Sequence, residues 1–210
     1  MAISLAAALA LAAQCAPTVA PETLLSVVQV ESRFEPLAIG VKGAPRIVVA
    51  PTSVDDAVAK ARALIAAGRS IDLGLAQINS KNLSWLGLSL AEVFEPCTNL
   101  RAAARILQDG YVRSDAVRVG EQAALKTALS YYNTGHPMRG FSNGYVGKVT
   151  SAAGRIVPAI DGASLASLPE SGPPTPPEIP PPAWDVFGEA HRGRGSFVTT
   201  VSITAPGGSQ

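Results

Sequence analysis

The sequence is poor in the residues that build metal and phosphate sites. Its 210 residues include two histidines and two cysteines, and His136 and His191 stand in different regions with no ligand cluster around them. A metal centre is therefore not expected, and because no phosphate-cradling glycine loop is present, neither is a cofactor. The formal net charge of +1 also lacks the long-range field that phosphate backbones or anionic lipids require. We therefore do not expect the protein to bind nucleic acid.

Basic residues are missing from the apolar opening of the chain. Residues 1–13 resemble the core of a secretory signal but lack its positively charged start, so an export signal is not clear. The stretch is too short to cross a bilayer, so a stable membrane span is not expected. Gln14 precedes Cys15, where a lipoprotein signal would carry a small residue. We expect this stretch to form the first helix of the domain.

Helix signals recur through the first three quarters of the sequence, and the length suits one domain. Pro21 and Glu22 fit a helix start, and Leu24, Val27 and Val28 follow at helical spacing. Further starts are predicted by capping patterns at Ser53 with Asp56, at Ser89 with Glu92, and at Thr98, and Gly68 is placed to end the helix after Ser53. Two more helices are predicted over residues 121–132 and 145–156.

Strand signals are scarce before residue 158. No sustained alternation of apolar and polar residues appears there, and the single candidate is a short hairpin between residues 44 and 54. The predicted fold class is therefore mainly α, with a possible short β-hairpin.

Composition changes at Pro158. Residues 158–182 are rich in proline, serine and small side chains, which bury too little surface to offset ordering. We predict a domain over residues 1–157 and a Pro-rich flexible tail over 158–210. The apolar islands at 184–187 and 197–203 fit either a partner-binding peptide or no function at all.

Glu31 is the first candidate for catalysis. It lies one helical turn beyond the apolar face of Leu24, Val27 and Val28, so its carboxyl would point toward apolar neighbours. Such surroundings favour the protonated form, which a general acid needs to protonate a glycosidic oxygen. A solvated helix glutamate is the alternative on position alone.

The order of several motifs helps to decide between a catalytic Glu31 and a solvated helix glutamate. The Glu31-Ser32 pair is followed by Asp72-Leu73-Gly74-Leu75-Ala76-Gln77-Ile78-Asn79, Ser130-Tyr131-Tyr132-Asn133-Thr134-Gly135 and Gly144-Tyr145-Val146. Over about residues 14–157 this pattern resembles the lysozyme-like lytic transglycosylases, and within them the muramidase subunit of type IV secretion systems. The segments Cys15-Ala16-Pro17 and Pro96-Cys97-Thr98-Asn99-Leu100 are also similar to that subunit, and Trp184-Asp185-Val186-Phe187 matches a segment of its tail.

The resemblance implies a lysozyme-like helical domain with a catalytic cleft, in which Glu31 is the acid and base and Ser32 its polar neighbour. It implies that substrate contacts come from the cleft residues Gln77, Asn79, Tyr132, Asn133 and Tyr145. Amides can donate to and accept from sugar hydroxyls, and a tyrosine such as Tyr132 offers an apolar face for a sugar ring and a hydroxyl that can hold the Glu31 carboxyl. The alternative is that Gln77 and Asn79 cap local turns and Tyr132 fills the core.

The resemblance further implies peptidoglycan as substrate, a periplasmic location and a role in secretion, with the tail as a contact for type IV secretion components. Because exported proteins favour disulfides, we expect Cys15 and Cys97 to be bridged; two free thiols are the alternative. No second catalytic carboxylate is expected, since Glu35 should be near solvent and Asp72 lies in a turn-prone segment. The substrate's own N-acetyl group then assists, and the product is a 1,6-anhydro muramic sugar.

Three other functions stay open. A hydrolytic muramidase on the same fold would use Asp72 to position a water. A non-catalytic peptidoglycan-binding module would leave Glu31 with a structural role. A scaffold would act through its tail alone.

Overall fold

The computed structural model describes residues 1–43, 47–49 and 51–166. Within these ranges the chain is mainly α-helical, as predicted. The helices are α1 Leu5–Cys15, α2 Pro21–Glu31, α3 Val54–Ala66, α4 Leu83–Leu86, α5 Pro96–Arg113, α6 Ala116–Val119, α7 Glu121–Thr134, α8 Arg139–Ser142 and α9 Tyr145–Ala166. Short 3-10 turns cover Ser80–Asn82 and Glu92–Phe94.

Local capping explains several of these starts. Pro21 opens α2 at the first helical position, where its missing N–H costs no hydrogen bond. The Ser53 hydroxyl accepts from the Asp56 amide at 3.1 Å and so caps α3, as predicted. Ser89 and Glu92 bond each other reciprocally as predicted, but an α-helix does not follow; Glu92 begins a single 3-10 turn whose N-cap residue, Ala91, makes no side-chain cap. The predicted start at Thr98 is wrong, because Pro96 begins α5 and Thr98 lies inside it.

The apolar opening does form the first helix. Ala8, Ala12 and Cys15 of α1 are buried, and the helix packs on α5 and α2. A disulfide joins Cys15 to Cys97 at a Cα–Cα distance of 5.3 Å, which confirms the expected bridge between the end of α1 and the start of α5. None of the helices in the described ranges combines the length and apolarity that a bilayer crossing requires.

A small antiparallel sheet has the strand order β2-β1-β3-β4, with β1 Ile39–Val41, β2 Ile47–Val49, β3 Ile71–Leu73 and β4 Ile78–Asn79. The predicted hairpin between residues 44 and 54 is therefore misplaced, since its first strand lies earlier and two further strands join it. Strands of two or three residues are too short to show an alternation that a sequence pattern can detect.

Helix α2 lies at the centre of the core. Leu24, Leu25, Val27 and Val28 are fully buried, and the largest helix contact is between α2 and α9. Burying such side chains stabilises the fold by about 1.5–3 kcal/mol each. Because α2 and α9 pack on each other in the core, the end of α2 and the start of α9 are held in a fixed position beside the sheet.

The last helix does not end at residue 156 as predicted. It continues through Pro158 to Ala166, with Pro158 on the exposed side and Ile160 buried in the core. A proline removes one helical hydrogen bond, and burial of Ile160 offsets that cost. The division into a domain and a tail stays a prediction, with Ile160 packed on the domain side. Residues 167–210, including the predicted islands at 184–187 and 197–203, lie outside the described ranges.

Candidate active site

Glu31 is the last residue of α2 and faces the first turn of α9. Its Oε1 accepts a hydrogen bond of 2.6 Å from the Tyr145 hydroxyl, across 114 positions of sequence. The Glu31 side chain is half-buried and Tyr145 is buried. The packing of α2 on α9 thus fixes the carboxyl in one orientation while leaving it open to a groove.

That groove runs on both sides of Glu31. A small pocket lies between Glu31, Tyr132 and the sheet. A second, larger pocket extends from Glu31 toward Tyr145 and Lys148. Both pockets share Glu31, Lys42, Asp72 and Asn133 as lining residues. Together they form one cleft, with the carboxyl near its middle.

The sheet side of the cleft contains the predicted Gln77 and Asn79. The Gln77 amide donates to the carbonyls of Ala38 and Gly74, each at 3.0 Å. The Asn79 amide donates to Asp72 Oδ1 at 2.6 Å, and its oxygen accepts from the Lys81 amide. Both side chains line the cleft, but their N–H groups are used within the protein. Their geometry supports the reading that they hold local turns, and the oxygen of Gln77 packs so close to Gly40 that a Cβ there would lie 2.6 Å from it.

The helical side contains Tyr132 and Asn133 at the end of α7. The Tyr132 hydroxyl donates to the Ala76 carbonyl at 2.6 Å, so Tyr145, and not Tyr132, holds the Glu31 carboxyl. Asn133 Oδ1 accepts from Asn143 Nδ2 at 2.8 Å. Tyr132 also packs against the core, so it combines a structural role with a place in the cleft wall.

Ser32 makes a different contact from the one expected of a cleft residue. It caps the C-terminal end of α2, and its hydroxyl turns back toward the Val28 carbonyl at 3.5 Å. This distance is at the limit of a hydrogen bond. Ser32 directly follows Glu31 in the sequence, but the Ser32 hydroxyl points to the Val28 carbonyl and not to the Glu31 carboxyl.

The electrostatics of the cleft keep the partly buried Tyr132 and the buried Tyr145 protonated. Burial raises the pKa of Tyr132 well above its ordinary value, and the nearby negative charges of Glu31 and Asp72 add to the increase. Burial and Glu31 likewise raise the pKa of Tyr145. Both hydroxyls therefore remain hydrogen-bond donors at any pH near neutrality. We call Tyr132 and Tyr145 the two cleft tyrosines.

Asp72 is the second carboxylate of the cleft. It lies on β3, not in the turn expected from the sequence, and its Oδ1 accepts from Asn79 and faces Lys42 Nζ at 3.6 Å. Its charge is compensated by this lysine, which the sequence did not single out. Glu35 is remote from these contacts, since it pairs with the N-terminal amine of Met1 at 3.1 Å.

Asn99 is a positioning residue that sequence reasoning missed as such. It is fully buried, donates to the Leu73 and Val93 carbonyls, and accepts from the Ala76 amide at 2.8 Å. It approaches Gly74 so closely that a Cβ there would lie 2.3 Å from the Asn99 amide nitrogen. Asn99 thus fixes the loop between β3 and β4. Its signal was the family-like segment Pro96-Cys97-Thr98-Asn99-Leu100.

A helical domain, a small antiparallel sheet and a tyrosine-held carboxyl in the cleft between them define a lysozyme-like architecture. Sequence comparison agrees: the chain belongs to the transglycosylase SLT domain family, whose profile matches residues 8–152. This match confirms the resemblance to lytic transglycosylases and includes every predicted site residue.

Two curated relatives show which proteins of this family the chain is similar to. The chain is 46% identical over 151 residues to the type IV secretion system protein virB1 of Brucella abortus biovar 1 (strain 9-941), covering 69% of this chain and 63% of the relative. It is 42% identical over 149 residues to the protein virB1 of Agrobacterium fabrum, covering 71% and 60%. The chain therefore spans less than two thirds of the length of these relatives. No solved structure matches it.

Proposed function

We propose that this protein is a peptidoglycan lytic transglycosylase that cleaves the bond between N-acetylmuramic acid and N-acetylglucosamine. The observation that carries the proposal is the state of the two cleft carboxyls. The Glu31 carboxyl accepts from the Tyr145 hydroxyl and lines both pockets of the cleft, whereas Asp72 is engaged by Lys42 and Asn79. A tyrosine-held carboxyl thus lines the middle of the cleft while the charge of the second is compensated, which fits a single acid and base better than a paired-carboxylate glycosidase.

The reaction follows from that single group. Glu31 donates its proton to the glycosidic oxygen, and the bond from carbon 1 of the muramic sugar to that oxygen breaks as its own N-acetyl oxygen attacks carbon 1. The Glu31 carboxylate then takes the proton of the carbon-6 hydroxyl, whose oxygen attacks carbon 1 and releases the acetamido group. The product is a 1,6-anhydro muramic end, formed without water, and Glu31 is protonated again.

The test is digestion of purified peptidoglycan in water enriched in oxygen-18, followed by mass spectrometry of the fragments. A transglycosylase gives anhydro ends that carry no label, whereas a hydrolytic muramidase gives reducing ends that carry it. Glu31→Gln keeps the size and polarity of the side chain and removes the proton donor, so the rate should fall by at least about 10²-fold. Glycan binding without cleavage by the unaltered protein would favour the non-catalytic binding module.

Asp72→Asn is the matched control, because it changes the second cleft carboxylate in the same way. For the transglycosylase we expect it to reduce the rate by less than about ten-fold, as it removes no proton transfer. A loss as large as that of Glu31→Gln would support the hydrolytic alternative.

We further propose that cleavage occurs in the periplasm and opens the wall locally for assembly of a type IV secretion apparatus. The support is the similarity to relatives named for that system. Contact of the tail with secretion components belongs to the same proposal. It is tested by comparing the full chain and a chain ending at residue 166 for support of secretion in cells that lack their own copy.

A further inference from the structure

A shallow groove, which we call the basic trough, continues from the cleft along the packed helices α2 and α9. It is lined in part by Val30, Arg33, Gly147, Lys148, Ser151 and Arg155. Val30 and Lys148 also line the pocket beside Glu31. A ligand in the cleft can therefore reach the basic trough without leaving the protein surface.

The basic trough is strongly cationic in a chain whose net charge is only +1. Arg33, Lys148 and Arg155 are exposed, and no acidic side chain lines the groove. Salt bridges within residues 1–43 and 51–162 involve other cations, so these three keep their charges available. Such a surface favours a ligand with several carboxylates.

Its shape fits an extended chain. Lys148, Ser151 and Arg155 follow one another on one face of α9, and the interval from the first to the last is about 10 Å at the helical rise. An extended peptide covers about 3.3 Å per residue, so about three residues match this length. Apart from its chain neighbours and the backbone of its own helix, Gly147 has no atom within 4 Å of the place where a Cβ would stand. The floor is therefore open to a peptide backbone.

We propose that the basic trough binds the acidic peptide stem that is attached to the muramic sugar. The inference rests on the proposed function, because the stem is part of peptidoglycan. The stem begins at the sugar next to the scissile bond and carries free carboxylates on its second and third residues. The basic trough is continuous with the Glu31 pocket. This favours the stem, which is attached to a sugar in the cleft, over a lipid headgroup phosphate, which has no link to that sugar.

The test is an NMR titration of the full chain with a synthetic stem tripeptide, L-alanyl-γ-D-glutamyl-diaminopimelate. We expect shifts at the amides of Gly147 and Ser151, and about five-fold weaker binding in the double variant Arg33→Gln/Arg155→Gln, as two exposed ion pairs are lost. Arg62→Gln, an exposed arginine of α3 outside the basic trough, should bind as the unaltered chain does. Absence of shifts, or equal shifts in the double variant, overturns the inference whether or not the protein cleaves glycan.

A kinetic comparison separates this inference from the proposed function. On intact peptidoglycan the double variant should be about five-fold slower in kcat/KM, and high salt should remove the difference by screening the charges. On glycan strands stripped of peptides by an amidase, the double variant should match the Arg62→Gln control. Equal loss on both substrates would overturn the inference and leave the proposed function intact. Binding of phosphatidylglycerol vesicles, lost in the double variant without any tripeptide shift, would assign the basic trough to lipid instead.

Discussion

Replacing Tyr145 by phenylalanine tests whether the tyrosine hydroxyl positions the Glu31 carboxyl for the proposed proton transfer. The hydroxyl makes a 2.6 Å hydrogen bond to Glu31, and the ring is buried between α2 and the rest of α9. Phenylalanine keeps the ring and removes one polar contact. The change therefore isolates the orientation of Glu31 from the packing that supports it.

The expected size follows from the strength of that contact. Hydrogen bonds to charged groups contribute about 1.5–3 kcal/mol, and each 1.36 kcal/mol is a factor of ten in rate. If the bond serves mainly to hold Glu31 on the glycosidic oxygen, kcat should fall by about 10–100-fold. KM should change little, because the sugar-facing surface is unaltered, and the melting temperature should drop by only a few degrees.

Tyr132→Phe is the matched control, since its hydroxyl makes an equally short bond to the Ala76 carbonyl instead of the carboxyl. This variant should lose about 1–3 kcal/mol of stability, because a partly buried carbonyl loses its donor, while kcat falls less than about three-fold. The assay is release of soluble fragments from peptidoglycan, with unfolding measured in urea. An unchanged kcat in Tyr145→Phe, or similar kcat losses in both variants, would refute the positioning role.

Reduction of the Cys15–Cys97 bridge, or its replacement by two serines, should cost about 4 kcal/mol, because the bridge closes a loop of 82 residues in the unfolded chain; urea unfolding with and without reductant measures it, and an unchanged midpoint would contradict it. The two cleft tyrosines have a raised pKa in the folded state, so the unfolded chain releases these protons first as pH rises above about 10. Stability should be unaffected by them below that pH and fall above it, and Tyr145→Phe should show a smaller fall between pH 9 and 11 in the same unfolding assay. A chain that ends at residue 166 should cleave peptidoglycan within about two-fold of the full chain, whereas one that ends at 157 should unfold more easily, because it loses the turn of the last helix that carries the buried Ile160. Equal stability of the two truncations would show that this turn does not support the domain.

The helical framework could be predicted because its signals are local. Pro21 and the spacing of Leu24, Val27 and Val28 predict helix α2, and the Ser53 cap predicts the start of α3. The strands were not predicted correctly, because two or three residues are too few to show an alternation of apolar and polar side chains. The predicted end of the last helix at residue 156 was too early, because Pro158 lies on the exposed side of α9 and Ile160, two residues later, is buried in the core.

The sequence by itself indicated the helical class, the disulfide partners and Glu31 as the candidate acid, because the glutamate's place on an apolar helix face and the order of the motifs are properties of the chain. Tertiary structure decided what each polar group does. Only packing of α2 on α9 shows that Tyr145 holds the carboxyl, and only the register of β3 with β1 and β4 shows that Asp72 is occupied by Lys42 and Asn79. Hydrogen bonds between residues up to 114 positions apart depend on distances of a few tenths of an ångström, which no local spacing encodes.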